Sequence, residues 1–327
     1  KKIINSDFSF RKFIMHFFVV LIIAYLVTIS CWPQAHQNIF TAPFKIAFSI
    51  NEFPLFGLPW IMLNGDVFKV TEVPNFYIFI NFFYKTPEYI LICYVIFIYL
   101  LISKINFFLT NFNSFLFKIF LSLFIISFPT ILFIIFPYKI YDGLRLFLYL
   151  IPYFCIIPSL TIYYLIRNLK FLRYKITLAI LVILFVYNIF IFLKLTPYQY
   201  TYLNAFSGNF SNAHKKFEND YWAVSIKELV KKIPLETNFI KEKKKITLAY
   251  CGVPHSLVKK ELKKIPQLQY DVLELTNPGI DYILMTNRLQ KVSEENVNTC
   301  FNNFVGEDLI TVERNGLVLS ALRKIKN

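Results

Sequence analysis

The residues best placed by type and spacing to do chemistry lie in one short loop. The stretch Pro137-Tyr-Lys-Ile-Tyr-Asp-Gly-Leu-Arg145 carries Lys139, Asp142 and Arg145 at the mouth of an apolar, proline-containing segment. A guanidinium there can grip a phosphate through two parallel hydrogen bonds. The competing reading is an interfacial arginine whose head reaches up to lipid headgroups. Other polar residues carry the same two readings. They are Lys85 in Lys85-Thr86-Pro87, Asp66, and the cluster Glu218-Asn-Asp220-Tyr221-Trp222, each of which can equally be a cap, a turn or an interface anchor. Common catalytic signatures are missing. No GxGxxG, Walker loop or GxSxG occurs, and 8 glycines leave little for a phosphate-cradling glycine loop. His16, His36, His214 and His255 are scattered without metal-ligand spacing, so no cofactor is expected and a divalent metal stays open.

The elements that hold these residues follow from composition. Of 327 residues, 56% are apolar and 19% aromatic, and mean hydropathy is +0.51. Only 17% are charged, below the ~25% of an average soluble domain. Disorder and an ordinary soluble enzyme are both excluded. The net charge of +15 invites a nucleic-acid reading. Its distribution argues otherwise. Residues 1–193 hold 15 Lys/Arg and 6 Asp/Glu, and residues 194–327 hold 20 and 14. Most of the positive charge is a topology signal or a solvated tail, and no ribonucleoprotein motif or zinc-finger spacing supports nucleic acid as a partner.

Five segments are apolar and about long enough to cross a ~30 Å hydrocarbon core as helices. They are 13–32, 88–103, 115–136, 146–166 and 176–193. The second starts after Pro87, the third carries Lys118 near one end, and Pro152 and Pro158 predict a kink or unwinding in the fourth. Basic residues before the first span (Lys1, Lys2, Arg11, Lys12), at Lys104, and at Arg167, Lys170, Arg173 and Lys175 mark one side as cytoplasmic. The loop 33–87, the loop 137–145 and everything after Leu193 then lie outside. In the long loop, Phe40, Phe44, Ala47 and Phe48 form a helical stripe, and Phe76–Tyr84 is apolar but too short to span. Both fit interfacial anchors, and equally a lid or groove beside a lipid-linked substrate.

Residues 194–327 read as a small α/β domain on the outer surface. Trp222, Ile226, Leu229, Val230 and Ile233 give one helical face with Asp220 as its cap. Ile246–Val253, Val272–Leu275 and Tyr282–Met285 read as strands, and His255–Ile265 as a basic helix. Asn315-Gly316 between apolar runs predicts a two-residue hairpin. Cys31, Cys93 and Cys155 are apolar fillers of the spans. Cys251 and Cys300 can pair in an oxidising compartment, though their spacing does not require it.

Several strings together resemble one family. Tyr141-Asp-Gly-Leu-Arg-Leu-Phe-Leu-Tyr-Leu-Ile-Pro152 resembles the "YDG-R-F-(apolar)-P" segment of family 39-like membrane glycosyltransferases, related to dolichyl-phosphate-mannose–protein mannosyltransferases. Pro197-Tyr-Gln-Tyr-Thr-Tyr-Leu-Asn204, Phe217-Glu-Asn-Asp-Tyr-Trp222 and Ser225-Ile-Lys-Glu228 resemble the segment after that family's last span. Leu63-Asn-Gly-Asp66, Val73-Pro74 and Lys85-Thr-Pro87 resemble an upstream outer loop. Order and spacing agree over roughly residues 32–230. The last hundred residues carry no matching motif.

The resemblance implies a C-type fold, an α-helical polytopic membrane protein with its active site at the outer leaflet. It implies an enzyme that takes a sugar from a polyprenyl-phosphate carrier and passes it to a protein or glycolipid acceptor in the cell envelope, as in protein glycosylation. It implies an inner or plasma membrane, of bacterial type, with the N-terminus cytoplasmic and the C-terminal domain outside. Arg145 matches the position suited to the donor phosphate, with Lys85 and Lys139 behind it. Tyr141, Asp142, Asp66, Glu218, Asp220, Tyr221 and Trp222 are further candidates. The family's catalytic carboxylate lies in a first outer loop and maps onto no residue here. The chain starts at Lys-Lys and runs at once into a span, so it reads as the later part of a larger protein, with that carboxylate upstream of Lys1. The rival is a non-catalytic membrane protein with an external α/β domain. A coupled transporter would place ionisable groups inside the spans. Here they hold only Glu88 and Lys118 near ends, and His16, which leaves an envelope-assembly component as the rival.

Overall fold

The computed structural model describes residues 10–33, 36, 38–42, 44–45, 60–136, 139–208, 210–242, 245–291 and 297–325. The chain is mostly helical, with five helices long and apolar enough to cross a membrane and a small C-terminal sheet region. It divides into two units, 1–57 with 106–124, and 58–105 with 125–327.

In the first unit, α1 (Phe10–Cys31) is apolar around its whole circumference and has no buried residue. Such a helix is stable where lipid takes the place of a protein neighbour. Within it, Tyr25 reaches the following segment: its hydroxyl donates to the Ile39 carbonyl and its ring stacks on Phe44 at 6.2 Å. Phe40 sits in a turn, while Ala47 and Phe48 of the expected stripe lie outside the described residues. In 106–124, the Phe108 and Phe115 rings stack at 5.1 Å around a turn whose Ser114 has φ +55°.

The second unit opens with a hairpin, β1 (Trp60–Leu63) and β2 (Asp66–Lys69). Its two-residue turn is Asn64-Gly65, with φ of +54° and +102°. The apolar stretch after it is α2 (Tyr77–Lys85), which buries Tyr77, Ile78 and Asn81. Its Phe79 and Phe83 stay exposed on the other side. After Pro87 comes α3 (Glu88–Asn111), longer than the expected 88–103 and broken from helical geometry at Lys104. Next come α4 (Phe115–Ile135), with Pro129 inside it, and the fourth span, Arg145–Arg167. The unwinding predicted for that span lies at its start, where residues 145–150 form 3₁₀ turns. Its regular part is α5 (Ile151–Arg167). Pro152 sits in the first turn, where a missing N–H costs nothing, and Pro158 is accommodated inside. The last span is α6 (Leu172–Leu195).

Beyond α6 the chain runs through short 3₁₀ turns to α7 (Ile226–Glu236), which buries Ile226, Leu229, Val230 and Ile233. Two expectations are corrected here. Trp222 lies outside this helix and is half exposed. Asp220 does not cap α7; its carboxylate accepts from the Val224 and Ser225 amides at 2.9 Å and from the Ser225 hydroxyl, closing the turn before the helix.

The remaining elements are β3 (Ile246–Cys251), α8 (His255–Leu262), β4 (Tyr270–Val272), β5 (Tyr282–Thr286), β6 (Leu289–Lys291), β7 (Val297–Thr299), α9 (Cys300–Asn303), β8 (Gly306–Arg314) and β9 (Leu317–Ile325). Five strands form a sheet in the order β4-β3-β5-β9-β8; β6 and β7 pair separately. β3 runs parallel to β4 and β5, and β9 runs antiparallel to β5 and β8. Asn315 and Gly316, with φ of +51° and +79°, turn the β8–β9 hairpin as predicted. Cys251 and Cys300 are joined by a disulfide in the buried core of this sheet.

Candidate functional site

The site begins with three residues of α2. Tyr77, Asn81 and Lys85 are spaced i, i+4, i+8, so one stripe of a largely apolar helix is polar. All three line a cavity of about 20 Å³, room for about one water molecule. Its other walls are Ile61 and Met62 of β1, Asp142 and Gly143, and Phe217, Glu218 and Tyr221.

The loop before the fourth span supplies the opposite wall. Asp142 and Gly143 both take left-handed backbone, φ +56° and +66°. The Gly143 amide donates to the Tyr77 hydroxyl at 2.7 Å. A Cβ at Gly143 would sit 2.0 Å from Lys85 Nζ, so a side chain there would displace the lysine head from this loop, and the positive φ itself favours glycine. Arg145 turns back to donate to Asp142 at 2.9 Å and lies over the Trp222 ring at 4.2 Å. Its side chain is 36% exposed, against 8% for Asp142. Arg145 is thus the cation on the open side of the site and Lys85 the one within.

The deep side is closed by Arg288, just beyond β5. It donates to Asp142 at 3.3 Å and to the Tyr221 carbonyl at 2.7 Å, and its Nε lies 3.3 Å from Glu218. Glu218 also accepts from the Leu289 amide at 3.0 Å. Arg288 and Glu218 side chains are 4% and 9% exposed. Five charges therefore share the site. Arg145 and Arg288 balance Asp142 and Glu218, and Lys85 is the surplus. Among the described residues, Lys85 Nζ has no hydrogen-bond or ion-pair partner. Burial pushes its pKa down to about 8, against the opposing pull of Asp142 and Glu218. Burial likewise raises Glu218, which Arg288 and the Leu289 amide oppose. Burial also raises the Tyr77 and Tyr221 phenols.

A second polar cluster anchors the first. Glu88, at the start of α3, accepts from the Ala205 amide at 2.7 Å, the Asn188 amide at 3.1 Å and the Tyr202 hydroxyl at 3.2 Å. Tyr202 lies within hydrogen-bond distance of Asn188 Oδ1 too, at 2.8 Å. Asn204 donates from its backbone to Tyr84 at 2.8 Å and from its side chain to Thr86 at 2.9 Å. The end of α6 and the segment after it thereby fix both flanks of Lys85.

The structure brings together Arg145, Lys85, Tyr141, Asp142, Glu218, Tyr221 and Trp222. Tyr141 enters through its ring, 5.9 Å from the Arg145 guanidinium. The described lining does not include Lys139 or Asp66; Asp66 is exposed at the hairpin turn. Asp220 is consumed by its turn and by the Tyr200 hydroxyl. Three site residues escaped the sequence reading. Tyr77 and Asn81 were signalled by the i, i+4 polar stripe with Lys85. Arg288, a single arginine after an apolar strand, carries no local signal.

Among the described residues, no group of three or more His, Cys, Asp or Glu side chains assembles as a metal-ligand set. Comparison of the chain with models of protein families, with curated proteins and with solved structures finds no match.

Proposed function

We propose that this chain is the membrane-embedded part of a glycosyltransferase that takes a sugar from a polyprenyl-phosphate carrier and passes it to a protein or glycolipid acceptor. One observation carries the reading. Arg145 and Lys85, the cations that the motif resemblance points to, converge on one loop at the ends of three candidate spans. Segments expected on one side of the membrane, 60–87, 139–145 and those after α6, supply every wall of the site. That side is proposed to be the outer one. The Cys251–Cys300 disulfide supports this, because such bonds persist in oxidising compartments.

In this reading the carrier phosphate leaves with negative charge as the sugar departs. Arg145, half exposed beside Trp222, meets it first with a two-pronged guanidinium. Lys85 supplies a second positive charge from below, without needing to break an existing ion pair. Fixed cations aimed at developing charge are worth ~10²–10³ in rate when one is removed from such a site. Asp142 orients Arg145, and no residue of the chain is assigned as the base.

The test is transfer by the complete protein from a panel of polyprenyl-phosphate sugars. Wild type transfers one of them, and Arg145→Ala inserts normally but loses transfer. Full activity in that variant removes the phosphate role. A second reading, a non-catalytic envelope-assembly component, is favoured by the cavity being no larger than a water molecule. Absence of transfer across the panel would select it.

A further inference from the structure

The site hangs on a residue far from the loop motifs. Arg288 touches both carboxylates and the Tyr221 carbonyl through one guanidinium. The segment around it is tied from every side. The Thr286 hydroxyl donates to the Gly252 carbonyl at 2.7 Å, and the Asn287 side chain donates to His214 and Phe217 carbonyls at 2.7 and 3.2 Å. The Cys300 amide donates to the Arg288 carbonyl at 2.9 Å. Gly252, next to Cys251, lies so close that a Cβ there would meet Arg288 Cβ at 2.7 Å and Cys300 Sγ at 3.0 Å. Both half-cystines are buried, which shields the bond from soluble reductants. The disulfide is thus a strut directly behind Arg288.

We propose that Arg288, braced by the Cys251–Cys300 disulfide, is a positioning residue that holds Glu218 in place as the carboxylate beside Lys85. An arginine within ion-pair distance favours the charged form of a buried acid. Without it, the upward push of burial on Glu218 loses its largest counterweight, and a protonated Glu218 no longer supports the charge on Lys85. The groups facing Lys85 are Tyr77 of its own helix, Asp142 of the loop, and Glu218 and Tyr221 of the segment before α7. What this does for a lipid phosphate rests on the function proposed above; the charge coupling itself does not.

The experiment measures the acetylation rate of Lys85 against pH, with trace acetic anhydride and the full chain in detergent. It needs no substrate, so it fails or succeeds independently of any transfer assay. Wild type gives a midpoint near pH 8. Glu218→Gln lowers it by about 1 unit, and Arg288→Gln lowers it by less, because loss of the arginine's own positive charge partly offsets the protonation of Glu218. The double variant goes no lower than Glu218→Gln, because both changes remove the same anion. Arg288→Lys retains the wild-type midpoint, and the paired Cys251→Ser, Cys300→Ser variant moves it down by less than Arg288→Gln. An unchanged midpoint in Arg288→Gln, with the disulfide still protected from alkylation after mild reduction, overturns the proposal, as does full additivity in the double variant. If Arg288→Gln does not fold, Arg288→Lys and the serine pair decide. A lysine variant with the Glu218→Gln midpoint, or a serine pair at the wild-type midpoint, contradicts it.

Discussion

Two polar clusters sit side by side in the second unit, built from overlapping segments, and they differ in one respect. Around Glu88 every partner is supplied. Its two oxygens take three donors from Ala205, Asn188 and Tyr202, and none of those donors is a cation. Around Asp142 the partners are charges, and one charge is left over: Lys85. A completed buried network holds pieces of a fold together. A half-buried cation without a partner carries a desolvation cost that the fold does not recover on its own. The first cluster therefore reads as structure, and the second keeps a net positive charge, as the proposed phosphate role requires.

The largest expected effect breaks this comparison if it fails. In the complete protein, Arg145→Ala lowers transfer by about 100-fold or more, whereas Tyr202→Phe leaves the turnover rate within about 2-fold, both read in the same assay. Next comes the fold itself. Glu88→Gln aims an amide N–H₂ at donors and costs about 2 kcal/mol in thermal or denaturant unfolding. Lys85→Met does the reverse. It removes the surplus charge, leaves Arg145 and Arg288 balanced by Asp142 and Glu218, and raises stability by about 1 kcal/mol at pH 7.

A smaller effect sharpens the same point. The Lys85 pKa in the folded chain, about 8, is below its ordinary value of 10.5. Its penalty is thus fully present below pH 8. It is relieved as pH rises from about 8 to 10.5, where the unfolded chain binds more protons than the folded one. The stability advantage of Lys85→Met over wild type should shrink across that window and stay flat from pH 6 to 7.5. A gap independent of pH would mean that the residue acts by packing alone.

The contrast also explains what the sequence made legible. The five long apolar helices are readable because length and apolar content are what define a candidate span. Asn315-Gly316 was readable as a turn because long apolar runs flank it. The same dipeptide at Asn64-Gly65 makes the same turn, but its strands are only four residues long. Arg145 and Lys85 stand out as cations at the edges of apolar segments, and again in the motif strings. Tyr77 and Asn81 were hidden by α2's apolar composition, which drew attention to its phenylalanines and away from its polar stripe. Arg288 was invisible because its role depends on partners 67 to 146 residues away in the chain. Asp220 shows the opposite: its type suits a cap of the nearest helix, but its carboxylate closes the turn before that helix.

The most direct test of the central claim is equilibrium binding of a polyprenyl phosphate, without sugar, to the chain in detergent. Saturable binding that Arg145→Ala weakens by about 10-fold or more, and that Tyr202→Phe leaves unchanged, is the result this account predicts. Binding by Arg145→Ala at wild-type strength would contradict it.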